Sequence, residues 1–184
     1  FLVAYRLPNM LRDLFAEGAF SSAFVPIFTE VNQKDPCGSH SLFWSMGMLL
    51  GVVTGIISLA LMIFANSIVS FVAPSFSSNP HVFHITVVLT QIMAPFLFLV
   101  SLAALVMGAL NTQKIFFIPA LAPACFNLMS ILCMMIFPAV LMTQGYNPIY
   151  ALGIGVMLGG LAQLGLQLPL VVKRIPLAGP ISLW

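Results

Sequence analysis

LFWSMGMLLGVVTGIISLALMIFANSIVSFVA, residues 42–73, runs for 32 positions without a formal charge. At ~1.5 Å per residue a helix over this stretch reaches about 48 Å, against a hydrocarbon core ~30 Å thick. The run is too long for a strand and lacks the alternation of barrel strands. It reads as a membrane crossing that tilts, projects beyond the bilayer, or breaks near Asn66.

The rest of the chain repeats the pattern. Of 184 residues, 61% are hydrophobic and 5% charged, with a mean hydropathy of +1.12. Soluble domains carry ~25% charge, so ten charges cannot clothe a water-facing globule of this size. Seven of the ten lie in the first 35 positions: Arg6, Arg12, Asp13, Glu17, Glu30, Lys34 and Asp35. Between Asp35 and Lys114 lie 78 uncharged residues, and between Lys114 and Lys173 another 58, each interval with room for two crossings. The expected fold is all-α: a polytopic transmembrane bundle with helices near 1–31, 42–73, 81–110, 119–141 and 149–172. The net charge of +2 is too small and scattered for a nucleic-acid footprint.

The connections are polar and rich in turn residues. NQKDPCGSHS, 32–41, reads as a loop with possible caps at Ser39 and Ser41. PSFSSNP, 74–80, residues 111–117, and TQGYNP, 143–148, read as turns. Pro95, Pro123 and Pro138 are expected to kink or interrupt their helices. Lys34, Lys114, Lys173 and Arg174 fall at alternate ends of successive crossings, and the 74–80 and 143–148 turns hold no basic residue. The positive-inside rule places the basic ends in the cytoplasm. The start at Phe1 lacks the basic flank of a signal peptide and reads as the interior of an element, with helices expected upstream.

Signals for covalent chemistry are weak. Cys37, Cys125 and Cys133 have no CxxC spacing, and His81 and His84 lack a companion carboxylate. Neither a Gly-rich nucleotide loop nor a GxSxG nucleophile motif is present. No cofactor or metal is expected. Gly47, Gly51 and Gly55 share a helix face, as do Ala151, Gly155 and Gly159, and both faces read as surfaces for close helix approach.

The informative charges are at the start. On a continuous helix Arg6, Asp13 and Glu17 form a narrow stripe with Arg12 to one side, and Pro8 interrupts it. Asp13 and Glu17, at i and i+4, repel unless a cation lies between them. Charges at membrane depth normally face protein or water and mark a transport path. A guanidinium there can hold a phosphate bidentately. The competing reading is a solvated helix at the membrane edge.

RLPNMLRDLFAEGAFSSAFVPIFTE, residues 6–30, closely resembles the signature of the MurJ/MviN family of lipid II flippases. GALNTQKIFFIPALAPACFNL, 108–128, and LGGLAQLGLQLPLVVK, 158–173, resemble two further blocks of that family, in the same order. The resemblance implies a two-lobed helical transporter of the multidrug and polysaccharide exporter superfamily. It moves lipid II, the undecaprenyl-diphosphate-linked peptidoglycan precursor, from the inner to the outer leaflet of the cytoplasmic membrane. By that match residues 1–184 are part of the N-terminal lobe, helices two to six. Arg6, Arg12 and Glu17 fall on substrate-facing positions of the family's first block. Asp13 departs from it, since that position is usually basic in the family, and an acid there lowers the positive potential beside Arg12.

The implied partners are lipid II, membrane lipids and the remaining helices of the full-length transporter, with no enzymatic role. A related exporter of small amphiphiles and a non-transporting membrane scaffold are the alternatives. Arg12 and Glu17 facing a hydrated cleft would separate transport from scaffolding.

Overall fold

The computed structural model describes residues 2, 4–6, 10 and 19–176, and these are helical apart from short connections. Within residues 19–176 seven α-helices follow one another: α1 Ala19–Lys34, α2 Pro36–Ile63, α3 Ala65–Val72, α4 Pro80–Met93, α5 Phe96–Thr112, α6 Phe117–Thr143 and α7 Tyr150–Arg174. A 3-10 stretch, Pro74–Ser78, joins α3 to α4. Among the described residues four segments are long and apolar enough to cross a membrane: Gly38–Ile63, Pro80–Thr112, Phe117–Thr143 and Tyr150–Arg174. The expected first crossing overlaps residues 11–18, which lie outside the described residues.

Residues 32–41 are not a loop. α1 continues to Lys34 and α2 starts at Pro36, so Asp35 alone is non-helical between them. Proline at the first helical position needs no backbone donor, which is why it opens α2 rather than breaking it. Ser39 Oγ does not cap a later helix but donates to Asn32 Oδ1 of α1 at 2.8 Å, locking the corner.

The long run at 42–73 breaks at Phe64, two residues before Asn66, and continues as the short α3. Pro95 splits the next crossing, because it lacks the N–H that would bond back into α4. Leu97 N instead reaches Ala94 O at 3.2 Å and Leu99 N reaches Pro95 O at 3.3 Å. The two breaks are neighbours: Gln91 Nε2, near the end of α4, donates to Met62 O at 3.2 Å. Pro123 and Pro138, by contrast, do not interrupt α6, which runs through both.

Two helices end in the same way. Ile115 N bonds to Leu110 O at 3.0 Å, and Tyr146 N bonds to Leu141 O at 2.9 Å. Both are six-residue closures with the intervening residue in the left-handed region, Lys114 at φ 61° and Gly145 at φ 77°. Glycine adopts that conformation freely. Lysine does so at a cost on the order of 1–3 kcal/mol.

α5 is the centre of the bundle, in contact with α1, α2 and α7, and α6 packs chiefly on α7. One core gathers Phe24 and Phe28 of α1, Phe43 and Leu50 of α2, Leu105 and Leu110 of α5, and Val171 beside Ile175. Trp44 Nε1 donates to Ile175 O at 3.0 Å, satisfying a carbonyl just past the end of α7. α7 uses glycine on two opposite faces. A Cβ at Gly153 or Gly160 would meet Ile92, Leu89 or Phe96, and one at Gly155 or Gly159 would meet Ser130, Cys133 or Phe126. On α2, Gly47 and Gly51 lie against Leu105 and Phe98 of α5, and the contact loosens at Gly55. The outward faces of α2 and α6 expose Val52, Ile56, Leu59, Ile131 and Met135, side chains suited to lipid.

Candidate functional site

Of the charged residues expected to form the site, Arg6 is described. Arg12, Asp13 and Glu17 lie outside the described residues. Arg6 is helical and exposed. Ala4 is fully buried, and Ala4 and Tyr5 pack in a cluster with Leu89, Met93, Phe96, Val100 and Val156. At ~1.5 Å per residue, Leu89 to Val100 lie about 14–30 Å from the Pro80 end of a crossing that spans Pro80–Thr112. The same cluster takes in Ile85, Ile149 and Tyr150, so Arg6 follows a segment packed on the half of the bundle between the start of α7 and the middle of α5.

An Arg at membrane depth costs ~2.5–3.5 kcal/mol on insertion scales unless it finds water or an anion. The described neighbours supply no counter-charge: the ion pair among the described residues is the exposed Lys34–Glu30 pair of α1, Nζ to Oε1 2.6 Å. What such a site can do is hold an anion, through a planar donor fork that matches a phosphate.

Three buried threonine hydroxyls among the described residues are engaged in their own helices. Thr86 Oγ1 donates to Val82 O at 2.8 Å, Thr90 Oγ1 to Thr86 O at 2.8 Å, and Thr54 Oγ1 to Leu50 O at 2.7 Å. Such bonds cost nothing in packing and bend helices slightly. Among the described residues, three buried side-chain polar atoms lack a partner: Ser58 Oγ, Ser101 Oγ and Gln167 Oε1. Gln167 is fully buried on α7, with Nε2 bonded to Gln163 O at 3.2 Å. It was not singled out from the sequence, although an amide inside the apolar run 149–172 was the available signal. His81 and His84 are exposed at the start of α4, and no group of three or more metal-ligating side chains occurs among the described residues.

Residues 1–182 match the family described as "Lipid II flippase MurJ". The chain belongs to that family. Among relatives, the lipid II flippase MurJ of Burkholderia cenocepacia is 38% identical over 182 residues, covering 97% of this chain and 34% of that protein. The protein of Vibrio cholerae named "Probable lipid II flippase MurJ" is 33% identical over 192 residues, covering 100% of this chain and 36% of its own length. One of the same name from Rhizobium meliloti is 36% identical over 171 residues, covering 90% of this chain and 31% of its own. The chain thus spans about a third of the MurJ relatives it matches, and the matched region takes in Arg6, Arg12 and Glu17.

Proposed function

We propose that this chain is the N-terminal-lobe portion of a protein that carries lipid II from the inner to the outer leaflet of the cytoplasmic membrane. The observation that carries the reading is the match of residues 1–182 to the lipid II flippase MurJ family, with exposed Arg6 directly after the bundle-packed Ala4 and Tyr5. A diphosphate joined to a long lipid needs a cation at membrane depth, and the guanidinium provides one without needing a proton balance. Arg12 and Glu17 complete the site in this reading, Arg12 as a second phosphate ligand and Glu17 as its positioning or charge-balancing carboxylate. The acid at Asp13 reduces the local positive potential, so Arg6 and Arg12 together hold the diphosphate less strongly than a purely basic corner would.

The work is translocation, with no bond made or broken. The remaining helices of the complete protein supply the facing half of the cavity, and the basic ends at Lys34, Lys114, Lys173 and Arg174 lie in the cytoplasm.

The test uses the complete protein in cells depleted of their own lipid II flippase. Lipid II reachable by an impermeant probe in the outer leaflet is expected to return to near the undepleted level. A complete protein abundant in the membrane that restores none would overturn the reading.

A further inference from the structure

α6 and α7 share a groove on the outward side of the bundle. Cys125, Leu128, Met129 and Leu132 of α6 meet Ala162 and Leu166 of α7 around a cavity of about 250 Å³. No lining side chain is charged or carries a hydroxyl. The volume falls below the ~300–1,000 Å³ of small-molecule pockets and suits a stretch of hydrocarbon chain.

The groove leads to the basic end of the two helices. On α6 its stripe continues in helical steps through Leu121 to Phe117. On α7 it continues from Leu166 to Lys173, seven positions on and about 20° round the axis. The helices are antiparallel, with Gly155 opposite Ser130 and Gly159 opposite Phe126, so the first turn of α6 lies beside the last turn of α7. Exposed Lys173 and Arg174 therefore share an end with Lys114 and with Phe116 and Phe117, which are 60% and 75% exposed.

Lys114 is the second, independent observation. It occupies the left-handed closing position of α5, φ 61°, where the equivalent closure of α6 uses glycine. It is also the one charge between Asp35 and Lys173. A strained, exposed lysine flanked by outward aromatic side chains has the chemistry of a headgroup contact at the membrane interface. The ion pair among the described residues is elsewhere, so no carboxylate there neutralises Lys114, Lys173 or Arg174.

We propose that the α6–α7 seam binds a glycerophospholipid with one anionic phosphate, one acyl chain lying in the groove and the phosphate on Lys173 and Lys114. Charge complementarity selects the headgroup, and the apolar groove selects a lipid over a free phosphate. The proposal does not depend on lipid II transport, because its test reads lipid retention alone.

Native mass spectrometry of the complete, delipidated protein with added phosphatidylglycerol provides the test. Phosphatidylethanolamine of matched chains and glycerol 3-phosphate serve as comparisons. One equivalent of phosphatidylglycerol should be retained at least fivefold more tightly than phosphatidylethanolamine, and glycerol 3-phosphate should not displace it. Lys114→Gly with Lys173→Gln should bring the two lipids level. Lys114→Gly relieves the backbone strain, so lost retention in the single variant cannot be assigned to unfolding. Ala162→Phe, which fills the groove, should weaken retention with both lysines present. Equal retention of the two lipids by the wild type, or undiminished phosphatidylglycerol in the lysine double variant, would overturn the proposal. Displacement by glycerol 3-phosphate would do the same, since it would leave the groove without a part.

Discussion

Gly159→Leu is expected to leave the complete protein without a folded, monodisperse form in detergent, whereas Gly165→Leu, six residues along the same helix, should purify and melt like the wild type. A Cβ at position 159 would lie 2.7 Å from Phe126 Cδ2, 2.8 Å from Ser130 Oγ and 2.9 Å from Phe126 O. The ring and the hydroxyl can rotate away, but the carbonyl is backbone, so α6 as a whole must retreat. Retreat also breaks the bond from Ser130 Oγ to Gly155 O, 3.1 Å long, on the same seam. Overpacking of this kind costs ~1–3 kcal/mol even where side chains can adjust. In lipid there is no hydrophobic force to press the helices together again, and close van der Waals contact is what joins them. α6 has little other support, because its contacts with α5 are few. At Gly165 nothing lies within 4 Å of the added atom. Gly159→Ala should be damaging in the same direction, since the first carbon already makes the clash. Thermal melting of purified variants at matched expression decides it, and a Gly159→Leu protein melting within a few degrees of wild type would show that the seam is not the close contact described.

Arg12→Ala is expected to abolish or strongly reduce lipid II translocation by the complete protein while leaving its abundance in the membrane unchanged. The reason is chemical. A diphosphate presents several anionic oxygens, and the guanidinium engages two at once, with a charge that does not titrate in the accessible range. Arg12→Lys keeps the charge but loses the planar fork, so it should retain binding better than transport. Glu17→Gln separates the roles of its partner: it damages an ion-pair or proton-dependent role and spares one that needs only size and hydrogen bonding. Binding and leaflet transfer must be measured separately for each variant. Wild-type transfer by Arg12→Ala at equal abundance would remove Arg12 from the mechanism.

The crossings were legible because charge is so costly in lipid that its absence over 78 and then 58 residues leaves little choice of environment. The limits of the helices were less legible. Pro36 and Gly38 signal a turn, but proline is as much at home in a first helical turn as in a loop, and only the seating of Ser39 on Asn32 shows how short the corner is. Pro95 breaks its crossing whereas Pro123 and Pro138 leave α6 continuous, although all three sit in similar apolar runs. The sequence does not carry that distinction, because proline's effect depends on what else can satisfy the freed carbonyl. Spacing identified Gly155 and Gly159 as one close-approach face. It missed the opposite face at Gly153 and Gly160, since one residue pair three or four apart stands out and one seven apart does not. Of the candidate site, residue type marks Arg6, Arg12 and Glu17, of which Arg6 lies among the described residues, while the buried amide of Gln167 gives no such signal among its apolar neighbours.

In the proposed mechanism the charges at the start of the chain face a hydrated path taken by lipid II. The most direct measurement is the reactivity of Arg6→Cys, in an otherwise cysteine-free complete protein, toward a membrane-impermeant thiol reagent with and without saturating lipid II. Position 6 adjoins Tyr5, which packs against the cluster formed by α4, α5 and α7, so reactivity there requires water beside that cluster. Rapid labelling that slows several-fold when lipid II is added is the predicted result. A thiol that does not react, or one that reacts at the same rate with lipid II present, would contradict it.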